Sequence, residues 1–232
     1  MNTNTLIPTL DGSGEIPAYV ARPTGTPRGA IIVIQEIFGV NPGIRKKADD
    51  WAAQGYLAVA PDVFWRQEPG LEFDADVPEQ FNAAVGYMMK HDFDEGIKDV
   101  EAVIHWIRRE AGVPKVGLMG FCMGGRVAYM AAARTDVDAS VGYYGVAIDR
   151  MLGEKHAIAN PLLLHVPTAD GFVPADVQKA MHEGLDDHPK VTIHDYEGLD
   201  HGFADEGGKR RDEAGAALAD KRTAEFFARH LG

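Results

Sequence analysis

Short, continuously apolar runs recur along this chain, and helical segments separate them. The runs are GAIIVIQE at 29–36, YLAVAPD at 56–62, KVGLMGF at 115–121, ASVGYYG at 139–145 and NPLLLHVP ending at 167. Runs of this length without polar alternation fit strands buried on both faces of a parallel sheet. The intervening segments carry helix signals. NPGIRKKADDWAAQG places Asn41 as an N-cap, Pro42 at the first helical position and Gly55 as a stop. Residues 79–89 and 92–110 are expected to be helical, the second with Ile97, Val100, Ile104 and Ile107 at helical spacing. Further helices are expected after GFCMGG, near 174–185 and near 211–230, and VTIHDYEG reads as a last strand. LIPTLDGSGEIPAYVARP at the start reads as a hairpin turning at Asp11–Gly14, and residues 63–78 and 149–160 as a loop and a loop or short helix. Strands alternating with helices predict an α/β fold, a mostly parallel mixed sheet of about seven or eight strands with helices on both faces. No linker or repeat interrupts the pattern, so residues 1–232 are expected to form a single domain.

Right-handed crossovers place the working loops of such a sheet at the carboxyl ends of its strands. Four chemically capable residues fall there. Cys122, the one cysteine of the chain, follows KVGLMGF; Asp170 follows LLLHVP; His201 follows VTIHDYEG; Glu36 ends AIIVIQE. GFCMGG has the Gly-x-Cys-x-Gly pattern of a nucleophile elbow, where a serine is usual. The order nucleophile, acid, histidine is that of α/β-hydrolases. A thiol attacks as thiolate, His201 can take its proton, and Asp170 can orient the imidazole. Met123, directly after the thiol and at a helix start, offers one amide to a developing oxyanion, and Ile37 in the loop after AIIVIQE a second. Each residue alone has a plainer reading: a packed cysteine, an Asp-Gly turn, a loop histidine, a capping glutamate.

Composition removes other classes. With 23 basic against 35 acidic side chains the net charge is −12, which opposes nucleic-acid binding and anchoring to anionic lipid. A lone cysteine cannot form an intramolecular disulfide, and MNTNTLIPTLDGSGE has no secretory pattern, so cytoplasmic residence is expected. The other histidines lack zinc-ligand spacing with Cys122, and neither metal nor cofactor is expected. The expected partner is a small-molecule substrate, the expected state a monomer or small homo-oligomer.

QEIFG at 35–39, PDVFWRQEPG at 61–70, GFCMGG at 120–125, GYYG at 142–145, TADGFVP at 168–174 and DHGFA at 200–204 together resemble the dienelactone hydrolase family. The resemblance spans nearly the whole chain. It implies a lactone or short-ester hydrolase in which Cys122 attacks the carbonyl, His201 serves as base and then acid, and Asp170 orients it. It further implies that Glu36 takes the thiol proton when substrate binds. Tyr143 corresponds to the family's active-site tyrosine, and Phe38, Phe64 and Trp65 are expected to wall the pocket. The chain departs from the dienelactone-opening pattern at Asp205, where an arginine is expected, and EFDADVPEQ at 72–80 holds no arginine. With Arg45, Arg66 and Arg126 as the remaining candidates for that role, an anionic lactone is expected to be disfavoured. The rival reading is a non-catalytic protein that uses Cys122 as a redox-sensing thiol; it needs neither Asp170 nor His201.

Overall fold

The structure is a computed structural model and describes residues 3–232. Eight strands form one sheet in the order β1-β2-β4-β3-β5-β6-β7-β8. The hairpin is present as β1 (Thr5–Pro8) and β2 (Glu15–Ala21), paired antiparallel with Thr5 opposite Ala18. β3 (Ala30–Ile34), β4 (Leu57–Pro61), β5 (Val116–Phe121), β6 (Ala139–Tyr143) and β7 (Leu162–Pro167) are buried at every position. That matches their unbroken apolar character. β1 and β8 (Val191–Tyr196), at the two ends of the sheet order, are only partly buried. The pairs β3–β4, β6–β7 and β7–β8 are parallel, and β2 joins β4 antiparallel.

The chain divides into two compact units, one running to Gly117 and the other starting at Leu118, so the division falls inside β5. In the first unit, α1 (Pro42–Ala53) is capped by Asn41, whose side chain accepts from the Ile44 amide. α2 (Pro78–Lys90) begins at a proline, which has no N–H to leave unbonded. α3 (Phe93–Arg109) is capped by Asp92 and buries Ile97, Val100, Ile104 and Ile107, the stripe its spacing predicts. The 63–70 loop is organised by Asp62. Its carboxylate, almost fully buried, accepts from the amides of Phe64 (3.0 Å) and Gly70 (2.7 Å).

The second unit holds α4 (Met123–Arg134), a 3₁₀ segment at Asp149–Ala157, α5 (Ala175–Leu185) and α6 (Glu213–Leu231). α6 begins at Asp212, which caps the Gly215 amide. Its Phe227 is buried, whereas Leu218 is 44% exposed. Among the described residues no helix is long and apolar enough to cross a membrane.

Candidate active site

β5 runs directly into α4, and Cys122 is the joint. Its φ of 53° and ψ of −110° lie where an L-residue is crowded, a conformation that costs on the order of 1–3 kcal/mol and persists only when its surroundings impose it. Here the surroundings are backbone. The Cys122 amide donates to the Tyr143 carbonyl (3.0 Å), and its own carbonyl accepts from the amides of Arg126 (3.2 Å) and Val146 (3.4 Å). The glycines of the motif make room for this turn. A β-carbon on Gly120 would lie 2.1 Å from the Gly124 carbonyl oxygen, and one on Gly125 2.7 Å from both the Tyr143 oxygen and the Gly145 α-carbon. The thiol residue itself is only half-buried. Met123 is buried as the first residue of α4, so its amide has no carbonyl within the helix to bond.

Asp170 and His201 lie in the loops that follow β7 and β8, and they meet. His201 Nδ1 is 2.8 Å from Asp170 Oδ2, with Asp170 3% and His201 7% exposed. The other carboxylate oxygen of Asp170 accepts from the amides of Phe172 (2.7 Å) and Val173 (3.2 Å). The acid is thus fixed on both sides. With Nδ1–H directed at Asp170, Nε2 is the basic nitrogen of a neutral imidazole. Two rings flank that imidazole: Tyr144 at 4.9 Å and Phe172 at 4.8 Å between centroids.

Glu36, Ile37 and Phe38 belong to the first unit, in the turn after β3, and all three are buried. The loop after β4 closes on this turn. The Phe73 amide donates to the Phe38 carbonyl (3.0 Å), and Gly39 bridges Glu72. Gly39, at φ +80°, has the Leu71 oxygen 1.8 Å from where a β-carbon would stand, so no larger residue fits. The Phe38 ring packs on Phe81 at 6.0 Å.

Three expected pocket residues have other contacts. Tyr143 is a core residue, fully buried, with its hydroxyl on Asp220 (3.0 Å) and Thr223 (2.6 Å) of α6. Burial, with Asp220 nearby, holds its hydroxyl well above the usual tyrosine range. The tyrosine against the His201 imidazole is its neighbour Tyr144. β6 ends at Tyr143, and Tyr144 follows it in a bend with a φ of 38°, so the backbone turn after the strand sends the second tyrosine of GYYG to the histidine. Phe64 is also fully buried, packed between Tyr87 and His91. Trp65 donates through Nε1 to Asp99 of α3 (2.8 Å), and its ring fills the space beside Gly14. Both serve packing of the first unit, because an aromatic at the base of a loop is the cheapest way to bury it. Two of the three candidate cations are committed to carboxylates: Arg66 forks onto Asp99 (2.7 and 3.0 Å), and Arg45 bonds Glu72 and the Val40 carbonyl.

A half-buried cysteine in a strained strand-to-helix turn, followed along the chain by a bonded acid and histidine, follows the plan of the α/β-hydrolases. The chain belongs to the dienelactone hydrolase family, whose model matches residues 16–231, and with it to a family of hydrolases. It is 42% identical over 231 residues to a protein of Azospirillum brasilense named "Putative carboxymethylenebutenolidase", covering 99% of this chain and 100% of that one. Identity to the carboxymethylenebutenolidase of Pseudomonas putida is 37% over 212 residues, 91% of this chain and 90% of the other. A solved structure of a "Putative Dienelactone Hydrolase" from Klebsiella pneumoniae superposes with a TM-score of 0.82 at 28% identity, covering 97% of this chain and 99% of that one.

Proposed function

We propose that this protein hydrolyses small lactones or short-chain carboxylic esters through a cysteinyl acyl-enzyme. The observation that carries the proposal is the buried 2.8 Å contact between His201 Nδ1 and Asp170 Oδ2. A sensor thiol has no need of a shielded, oriented base. Family membership supplies the substrate class, because the named relatives are carboxymethylenebutenolidases. That one family model spans residues 16–231 supports reading residues 1–232 as one α/β-hydrolase domain.

In this reading the Cys122 thiolate attacks the carbonyl carbon and the π electrons move onto oxygen. The Met123 and Ile37 amides meet that developing charge. Glu36, in this reading, takes the thiol proton when substrate binds and passes it on to His201 Nε2, which becomes the imidazolium; the thiolate expelled at the end takes its proton back from Nε2. Collapse of the tetrahedral intermediate breaks the carbon–oxygen bond, and His201 protonates the departing alkoxide at its Nε2. A water molecule then gives a proton to Nε2 and attacks the thioester. The acid leaves and the thiol is restored. Asp170 stabilises the imidazolium each time it forms.

The substrate is preferentially uncharged. Arg45 and Arg66 are tied to carboxylates, Asp205 stands at the family's arginine position, and the net charge is −12. Neutral lactones and esters should therefore outperform carboxylate-bearing ones of similar size.

Mixing the protein with an activated aryl ester should give a mass increase on Cys122, and Cys122→Ala should hydrolyse nothing above background while keeping its circular dichroism spectrum. Full activity in Cys122→Ala would sink the proposal. Absence of acylation, with ready oxidation of the thiol by dilute peroxide, would favour the sensor reading.

A further inference from the structure

The loops carrying Asp170 and His201 are stitched together by more than their own contact. The Thr168 amide donates to the Tyr196 carbonyl (3.0 Å), the Ala169 amide to the Leu199 carbonyl (2.9 Å), and the Gly198 amide to Thr168 Oγ1 (2.8 Å). These bonds stop one residue short of the acid in one loop and two short of the histidine in the other. One side chain spans the remainder. Asp200 Oδ1 accepts from the Gly171 amide (3.2 Å) and from the His201 amide (2.7 Å). Gly171 directly follows the acid, so one oxygen holds backbone beside both members of the pair. Packing does not fix Gly171, since a β-carbon there would meet nothing within 4 Å.

The second oxygen of Asp200 faces Arg210 Nε at 4.0 Å. The Arg210 guanidinium lies 5.6 Å over the Phe172 ring, and that ring flanks His201. The carboxylate therefore touches three segments around the imidazole. Its environment suits an anion. Burial pushes its pKa up, but the His201 and Gly171 amides, with the charges of Arg210 and His201, outweigh that and hold it below the usual range.

We propose that Asp200 is a positioning residue for the Asp170–His201 pair, fixing the acid loop against the histidine loop through Oδ1. The inference rests on His201 acting as the base. Asp200→Ala removes the acceptor; Asp200→Asn keeps an oxygen in its place but loses the charge. Small displacements of catalytic groups cost up to about 100-fold in rate. Asp200→Ala should therefore lower kcat roughly 10-fold with KM changed by less than about 2-fold. Asp200→Asn should restore kcat to within about 3-fold of wild type. Its acid limb should move to lower pH, because a negative charge facing the imidazolium is gone while Asp170 remains and Arg210 loses its counter-charge. Amide hydrogen exchange supplies a readout independent of activity. Gly171 should exchange faster in the Ala variant and stay protected in the Asn variant.

Wild-type kcat in Asp200→Ala would overturn the proposal, as would an Asn variant as slow as the Ala variant. If the wild-type protein hydrolyses no ester, the functional reading fails. Gly171 exchange then decides the tie alone, and unchanged exchange in Asp200→Ala overturns it.

Discussion

Thr223 on α6 offers the sharpest test of how the second unit is held together. It is fully buried, 2.6 Å from the Tyr143 hydroxyl and 2.9 Å from His165 Nε2. Tyr143 donates its one hydrogen to Asp220. Thr223 must then donate to the Tyr143 oxygen, and its own oxygen must accept from His165 Nε2–H. His165 Nδ1 is left bare and accepts from the Tyr196 hydroxyl at 2.7 Å. One arrangement satisfies every group, and it links α6 to β6, β7 and β8. Thr223→Val keeps the shape and removes the hydroxyl. The chief loss is an orphaned His165 Nε2–H, since Tyr143 keeps Asp220. A buried group left without its partner costs about 1–3 kcal/mol, so about 2 kcal/mol is expected. For a chain of this size that lowers Tm by roughly 4–8 °C. Urea unfolding with an unchanged m-value should return the same free energy. Ester hydrolysis should stay within about 3-fold of wild type, because Thr223 touches none of the candidate catalytic groups. A Thr223→Val protein within about 0.5 kcal/mol of wild type would refute the directed chain of donors.

Four further outcomes are expected. Cys122→Gly and Cys122→Ala should both be inactive, with the glycine variant more stable by about 1 kcal/mol, because only glycine relieves the positive φ at the elbow; equal melting temperatures would contradict the strain. Gly125→Ala drives a β-carbon into the Tyr143 carbonyl and the Gly145 backbone, so it should cost about 1–3 kcal/mol in thermal melts and sharply reduce turnover. Trp65→Phe removes the donor to Asp99 and should lower stability by about 1 kcal/mol while leaving KM and kcat unchanged; a raised KM would return Trp65 to the pocket wall. Stability should fall as pH drops below about 6.5, less so in His165→Asn. Burial, with His194 and Arg222 beside it, keeps the His165 pKa well below the ordinary value. The unfolded chain therefore binds a proton that the folded chain refuses, and ΔG of unfolding decreases with acidification.

The residues that were legible in the sequence are those whose chemistry and backbone demands coincide. Buried strands read as unbroken apolar runs, and the start of α1 read from Asn41 and Pro42. The Gly-x-Cys-x-Gly turn read as an elbow because a tight strand-to-helix joint has few other solutions. Asp170 and His201 read from chain order at strand ends. What stayed hidden depends on which way a side chain faces. Tyr143 and Tyr144 are adjacent and identical in type, and only the third dimension sends one to α6 and the other to His201. Phe64 and Trp65 look the same in sequence whether they line a pocket or anchor a loop. Asp200 carries no signal in the sequence for its contacts, because Gly171 is distant in sequence and Arg210 is one arginine among several.

The placement of the pair within the second unit bears on how the proposed nucleophile Cys122 would be activated in a strongly acidic protein. Negative net charge alone disfavours ionising Cys122, and nothing remote can offset that as well as a nearby cation can. In the proposed reaction His201 becomes such a cation once Nε2 takes a proton; Asp170 keeps that ring oriented, and does so only while its loop stays docked. The docking bonds are local: amides to Asp170 Oδ1, carbonyls of β8 and its loop to Thr168 and Ala169, and Asp200 between Gly171 and His201. The strain stored at Cys122 is likewise held locally, by Tyr143, Val146 and Arg126 backbone. The proposed nucleophile and base are therefore each held by short-range backbone hydrogen bonds within the second unit, at and just beyond the strand ends. Asp205 sits in the same loop as His201, so a change of charge there can be tested for its effect on ester choice only while the Asp200 and Asp170 ties to His201 stay in place.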